Sequence, residues 1–140
     1  MQAKVKSIDL QTMKLRTKFL CQEVFVSIDT SANDPINSRD YDMPNLCSDQ
    51  VKCSGNTQDM IKFLATTSQK VRLVAIDFAG MSTNVDDLRC FIKSSKAIKE
   101  LVVDEGHKIT VFTRHELLHN DDIINKFNCR RGLVKRSRNA

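Results

Sequence analysis

Apolar positions between residues 56 and 75 return at the same offsets between residues 84 and 103. Met60, Phe63 and Leu64 correspond to Leu88, Phe91 and Ile92, one shift of 28 later. Leu73-Val74-Ala75 matches Leu101-Val102-Val103. The polar punctuation matches too: Asn56 and Asp59 against Asn84 and Asp87, Thr66-Thr67 against Ser94-Ser95. In each stretch the first apolar trio falls at i, i+3, i+4, one face of a helix. The Asn before it suits a helix cap, and the Asp suits the positive end of the helix dipole. Near-continuous apolar runs follow over Val71 to Phe78 and Ile98 to Val103. Such runs mark parallel strands covered on both faces, joined by a right-handed crossover. The expected fold class is α/β, a short leucine-rich-repeat-like stack of helix–strand units with a mostly parallel sheet.

The flanks are less regular. Val5 to Leu10 alternates and reads as a strand, Thr12 to Cys21 as a helix, and Glu23 to Ile28 as a β-rich run. Asp29 to Gln50 holds both prolines and many Asn, Asp and Ser residues. A loop of that length in a compact domain is either a functional excursion or a sign that the elements are assigned wrongly there. After Gly106 the pattern predicts a strand from Ile109 to Phe112. A last helix from Thr113 to Phe127 follows, with Leu117, Ile124 and Phe127 on its apolar side. No third copy of the period occurs, so the flanking elements are expected to cap the two units. The expected organisation is one α/β repeat-like domain over 1–127 and a basic flexible tail over 128–140.

Charge sharpens that boundary. The 140-residue chain carries a formal charge of +5. Lys126, Arg130, Arg131, Lys135, Arg136 and Arg138 supply six of its 22 basic residues with no acid among them. The remaining 16 face 17 Asp+Glu, a net of −1. The body is therefore near neutral, and the tail offers either a solvated end or a nucleic-acid or nuclear-import patch. The five cysteines are odd in number and lack a C-x-x-C, so no disulfide framework or cysteine zinc site is expected. Cys90 lies inside an apolar helix pattern and reads as a core thiol. No signal-peptide run and no membrane-length apolar stretch is present, which points to an intracellular protein, cytoplasmic or nuclear.

One catalytic motif is written. His115-Glu116-Leu117-Leu118-His119 satisfies H-E-x-x-H, in which two imidazoles one turn apart hold Zn²⁺ and the Glu acts as general base. The context argues against it. Asp122 and Asn125 stand where an extended motif needs Gly and His, and no Glu follows Glu116. His107 is the one other histidine. His115, His119, Asp122 and Lys126 instead fit a solvated helix stripe, so the match is read as coincidental and the chain as non-enzymatic, with no cofactor. The four glycines are isolated, with no phosphate-binding loop. Ile76-Asp77-Phe78 places an acid at a strand end, where α/β folds often keep functional groups; a surface carboxylate is the simpler expectation there.

The run Asp59-x-x-x-Phe63-Leu64, followed by Val71-x-Leu73-Val74, resembles the C-terminal domains of nematode F-box proteins, of the FTH and related F-box-associated types. So does Asp86-Asp87-Leu88-Arg89-x-Phe91-Ile92-x-Ser94-Ser95. Val5 to Leu10 is similar to the first strand of those domains, and Ile123 to Phe127 to their last helix. The resemblance implies substrate recognition in an F-box-type ubiquitin ligase adaptor, with a protein partner destined for ubiquitination and no catalytic residues. No F-box stands at the N-terminus, so ligase docking is not carried over. The alternatives are a zinc-dependent hydrolase using His115, Glu116 and His119, and a nucleic-acid binder using Arg130, Arg131, Lys135, Arg136 and Arg138. No membrane partner is expected.

Overall fold

Asn56 and Asn84 each start a helix as their side chains predict. Asn56 accepts the Asp59 N–H and opens α2 (Thr57–Thr66), while Asn84 accepts the Asp87 N–H and opens α3 (Val85–Ser94). The computed structural model describes residues 2–27, 31–41 and 52–128. Ahead of α2 stand a helix α1 (Gln2–Thr17) and a 3₁₀ turn (Ile36–Ser38). β1 (Val71–Ile76) follows α2, and β2 (Ile98–Asp104) follows α3. β3 (Ile109–Thr113), α4 (Arg114–His119), α5 (Asp121–Ile124) and a final 3₁₀ turn (Asn125–Phe127) complete the order. The result is a mixed α/β architecture.

The sheet has three strands in the order β1-β2-β3. β1 and β2 are parallel, with Leu73 opposite Leu101, Val74 opposite Val102 and Ala75 opposite Val103. β3 returns antiparallel on β2, with Phe112 opposite Leu101. The sheet is therefore mixed rather than mostly parallel. The short stretch containing Gly106 (φ 91°) gives β3 no room for a crossover, so the chain turns back as a hairpin.

Strand alternation divides the sheet between two layers. Ala75, Leu101, Val103 and Phe112 point into the core, where they meet Leu64, Leu88, Phe91, Ile92, Leu117, Ile124 and Phe127. Phe127 closes one end of this core, edge-on to Phe78 at 4.9 Å and tilted on Phe112 at 5.4 Å. Val102 and Asp104 face the opposite way, and Lys14 of α1 reaches Asp104 there. Burying Leu88, Ile92, Leu101 and Leu117 completely stabilises the fold by about 1.5–3 kcal/mol per side chain.

The flanks depart from the sequence pattern. Val5 to Leu10 is helical, not a strand, and the helix expected over Thr12 to Cys21 ends at Thr17. Ile8, Thr12, Leu15 and Phe19 share the spacing of a helix face, and that period wins over the local alternation. The strand expected over Glu23 to Ile28 is reduced to a single bridge between Phe25 and Gly55; Ile28 lies outside the described residues. Of the long irregular stretch, residues 31–41 are described and contain the 3₁₀ turn. The helix expected over 113–127 is three short pieces. Asn120 ends α4 and its side chain caps α5 by accepting the Ile123 N–H, which breaks the run. Leu117, Ile124 and Phe127 are nevertheless all buried.

Two cysteine expectations are corrected. Cys90 is exposed and free on α3, because it falls outside the Leu88, Phe91 and Ile92 face. Cys53 is disulfide-bonded. Chain spacing does not report which Cβ atoms approach each other, so this bond left no pattern in the sequence. Disulfides persist in oxidising compartments, which sits against the intracellular placement expected from the sequence. Among the described residues no helix is long and apolar enough to cross a membrane.

Candidate interaction surface at the open edge of β1

Among the described residues β1 pairs on one side only. The Asp77 N–H donates to the Asp104 carbonyl at 2.8 Å and the Val71 N–H to the Ala97 carbonyl at 2.7 Å. By the alternation of a parallel strand, Leu73 and Ala75 also turn their peptide groups to β2. Arg72, Val74 and Ile76 therefore turn theirs to the outer edge. That edge lies between the two layers, with α1 on one side and α2 with the 3₁₀ turn on the other.

Two cavities run along it. A cavity of about 290 Å³ sits beside Leu73 to Ile76, under Ile8, Thr12 and Leu15 of α1 and beside Ile36 and Arg39. A wider one of about 450 Å³ sits beside Val71 to Val74, between residues 19–25 and Met60, Phe63 and Leu64 of α2. Leu15, Phe25, Met60, Leu73 and Val74 line both, so the two form one trough along the strand. The wider end has an apolar floor and a charged rim of Lys70, Arg72, Lys99 and Glu23. Arg72 Nε donates to Glu100 Oε1 at 2.6 Å.

The narrow end is closed by residues 31–41, and Arg39 organises that segment. Its guanidinium donates to the carbonyls of Ala32, Asp34 and Met81 at 2.8–3.1 Å. Burial pulls its pKa below the usual arginine value, opposed by the charges of Asp34, Asp87 and Asp40. The segment is bound to both α2 and α3. Asp40 accepts the Thr57 N–H at the start of α2, and Asp87 of α3 accepts the Ile36 N–H at 2.8 Å. Asp59, the counterpart of Asp87, instead closes a capping box by accepting the Asn56 N–H.

At the carboxyl ends of the strands, Asp104 is a buried carboxylate. Lys14 Nζ lies 2.7 Å from its Oδ2 and Lys18 Nζ 3.7 Å. Its Oδ1 accepts the Gly106 N–H. The Lys14 ammonium, then the Gly106 N–H, hold its carboxyl below the ordinary aspartate range, against a smaller opposing effect of burial. Sequence reasoning missed both Asp104 and Arg39. Asp104 stands one residue beyond the apolar run that marked β2, and a lone charge there carries no signal without α1 above it. Asp77, the strand-end acid that the sequence did single out, is exposed. It takes a positive φ of 68° and accepts the Phe78 N–H, so it acts as a turn residue.

The H-E-x-x-H residues lie in α4, the first of the short helical pieces that follow β3. His115 and His119 lie on α4 with ring centroids 4.7 Å apart. Glu116 is the third residue of that helix. Its carboxylate accepts the Thr113 N–H at 3.0 Å while the Thr113 hydroxyl accepts the Glu116 N–H. This capping box lowers the Glu116 pKa through the Thr113 N–H. Its carboxylate thus serves the helix end, the opposite of a free base poised over a metal. Among the described residues no third His, Cys, Asp or Glu joins the pair into a metal-holding group. Arg130, Arg131, Lys135, Arg136 and Arg138 lie outside the described residues.

No family model, no curated protein and no solved structure matches this chain.

Proposed function

We propose that this chain is a non-enzymatic protein-interaction domain, a short leucine-rich-repeat-like stack that recognises targets for an F-box-type ubiquitin ligase adaptor. The reading is supported above all by the parallel pairing of β1 with β2 at an offset of 28 residues, with Leu73 opposite Leu101. Stacking of equivalent helix–strand units builds extended surfaces for partners. The trough along β1 is the surface this arrangement leaves open. The capping role of Glu116 weighs in the same direction, because it occupies the one carboxylate the hydrolase alternative needs.

The ligase reading carries an intracellular placement, cytoplasmic or nuclear. The Cys53 disulfide pulls against that placement. Trapping free thiols in intact cells decides it: Cys53 trapped as a thiol supports the ligase reading, and Cys53 oxidised in the bulk of the protein removes it. The direct test is cross-linked affinity capture from the source cell with mass spectrometry. Ligase scaffold subunits recovered together with a target whose ubiquitination depends on this chain support the reading. A protein that captures no macromolecule under cross-linking sinks it. Contact with nucleic acid through the tail would instead show as affinity that falls steeply with salt and vanishes when residues 130–140 are deleted.

A further inference from the structure

We propose that the outer edge of β1 receives an extended peptide from a partner protein, which adds to the sheet as a fourth strand. This rests on the interaction-domain reading and names the site and the chemistry of its occupant. The occupant is a segment with apolar side chains at alternate positions and an acidic residue at the end nearest Lys70 and Lys99.

The backbone sets the first requirement. Arg72 and Val74 turn an N–H and a C=O each toward the trough, and among the described residues no strand answers them. An alkyl ligand filling the trough would bury these groups without hydrogen bonds, a penalty large enough to offset the benefit of apolar burial. A peptide supplies both donor and acceptor at every second residue, the usual chemistry of strand addition. The trough also has the shape of a strand, since its two cavities share a wall and together follow β1 from Val71 to Ile76.

Its side walls set the remaining chemistry. Leu15 of α1, Met60 of α2 and Phe25, whose ring lies 5.9 Å from that of Phe63 of α2, line both cavities and give apolar seats for alternate side chains. At the wide end Lys70, Arg72 and Lys99 outnumber Glu23. Glu100 engages Arg72. Lys70 donates to the neutral Lys96 carbonyl, and among the described residues no carboxylate forms an ion pair with it. Lys70 and Lys99 therefore supply the positive charge that an occupant meets. A second copy of this chain is a poor occupant. Its own β1 is recessed between α1 and α2 in the same way, and two recessed edges do not meet. A lone extended segment enters where a folded sheet does not.

The test uses a display library of random octapeptides panned against the full chain. The strongest binder is then followed by amide hydrogen exchange. Enriched peptides should alternate apolar residues and carry Asp or Glu at one end. Binding should slow exchange at Arg72 and Val74, while Leu73 and Ala75, already bonded to β2, change little. Val74→Pro removes one outward donor and leaves the β2 side intact, as edge positions allow; it should weaken binding roughly fivefold to tenfold. Should that variant lose its fold by circular dichroism, Lys70→Glu combined with Lys99→Glu takes its place and should shift the enriched peptides from acidic to basic. Peptides that bind wild type and variants alike overturn the edge site and leave the interaction reading standing. A dimer in sedimentation that protects the same amides overturns it in favour of self-pairing. No enriched peptide, together with no partner captured from the source cell, removes both.

Discussion

Leu73 and Leu101, 28 residues apart in the chain, are register partners on adjacent parallel strands. Arg72 and Glu100 keep the same offset and bridge at 2.6 Å. The offset slips only at Val71, which pairs with Ile98 across an irregularity in the ladder. The sequence repeat and the strand register are thus the same number. A parallel pair has this property when the connecting helix and its turns are of equal length in both units.

The two leucines should not cost the same to remove. Leu101 is completely buried in the central strand, whereas Leu73 sits on the edge strand and is half-buried. Leu101→Ala should destabilise by about 2–5 kcal/mol and Leu73→Ala by about 1–2 kcal/mol. Urea titration followed by circular dichroism measures both. Equal losses would contradict an open β1 edge.

Asp59 and Asp87 are equivalent in sequence and differ in task. Asp59→Ala should cost about 1 kcal/mol, the worth of a helix cap. Asp87→Ala orphans the N–H of Ile36, itself fully buried, and should cost about 1–3 kcal/mol. It should also speed amide exchange at Ile36 and protease cutting in residues 31–41. Asp59→Ala should leave both unchanged.

Leu20 follows α1 with a φ of 55° and is 77% exposed. It bears the cost of a left-handed conformation without the benefit of burial. Leu20→Gly should therefore raise stability by about 0.5–1 kcal/mol, read as an increase in melting temperature.

Asp104 makes stability depend on acid. Its folded pKa lies below the unfolded value, so its contribution is full above the ordinary aspartate range near about 3.9. That contribution is lost as pH falls from there through the lowered folded value. Asp104→Asn should be less stable than wild type at neutral pH by about 1–2 kcal/mol. The two proteins should converge only once pH falls below that lowered folded value. Urea midpoints across a pH series check the sign, and a gap that widens on acidification would refute the Lys14 pairing.

Glu116 and the two histidines give a metal test. Protein purified without an affinity tag should hold less than stoichiometric zinc, and His119→Ala should not change that content. Glu116→Gln should keep the fold but loosen the first turn of α4, visible as faster exchange at the N–H of Thr113. Tight zinc lost with His119→Ala would restore the hydrolase reading.

What the sequence determined by itself is local. Asn56 and Asn84 cap helices, Met60 to Leu64 and Leu88 to Ile92 each make an apolar face, and the runs after them are strands, because these outcomes depend on neighbours within a turn or two. Only the tertiary structure decided the rest. It turned β3 antiparallel, gave Asp59 and Asp87 different partners, committed Glu116 to its helix end, placed Arg39 at the centre of residues 31–41 and left one side of β1 unpaired among the described residues. Each of these depends on groups meeting in space, and periodicity carries no record of such meetings. A carboxylate reads the same in sequence whether it caps a helix, pairs with a lysine on another layer or faces water.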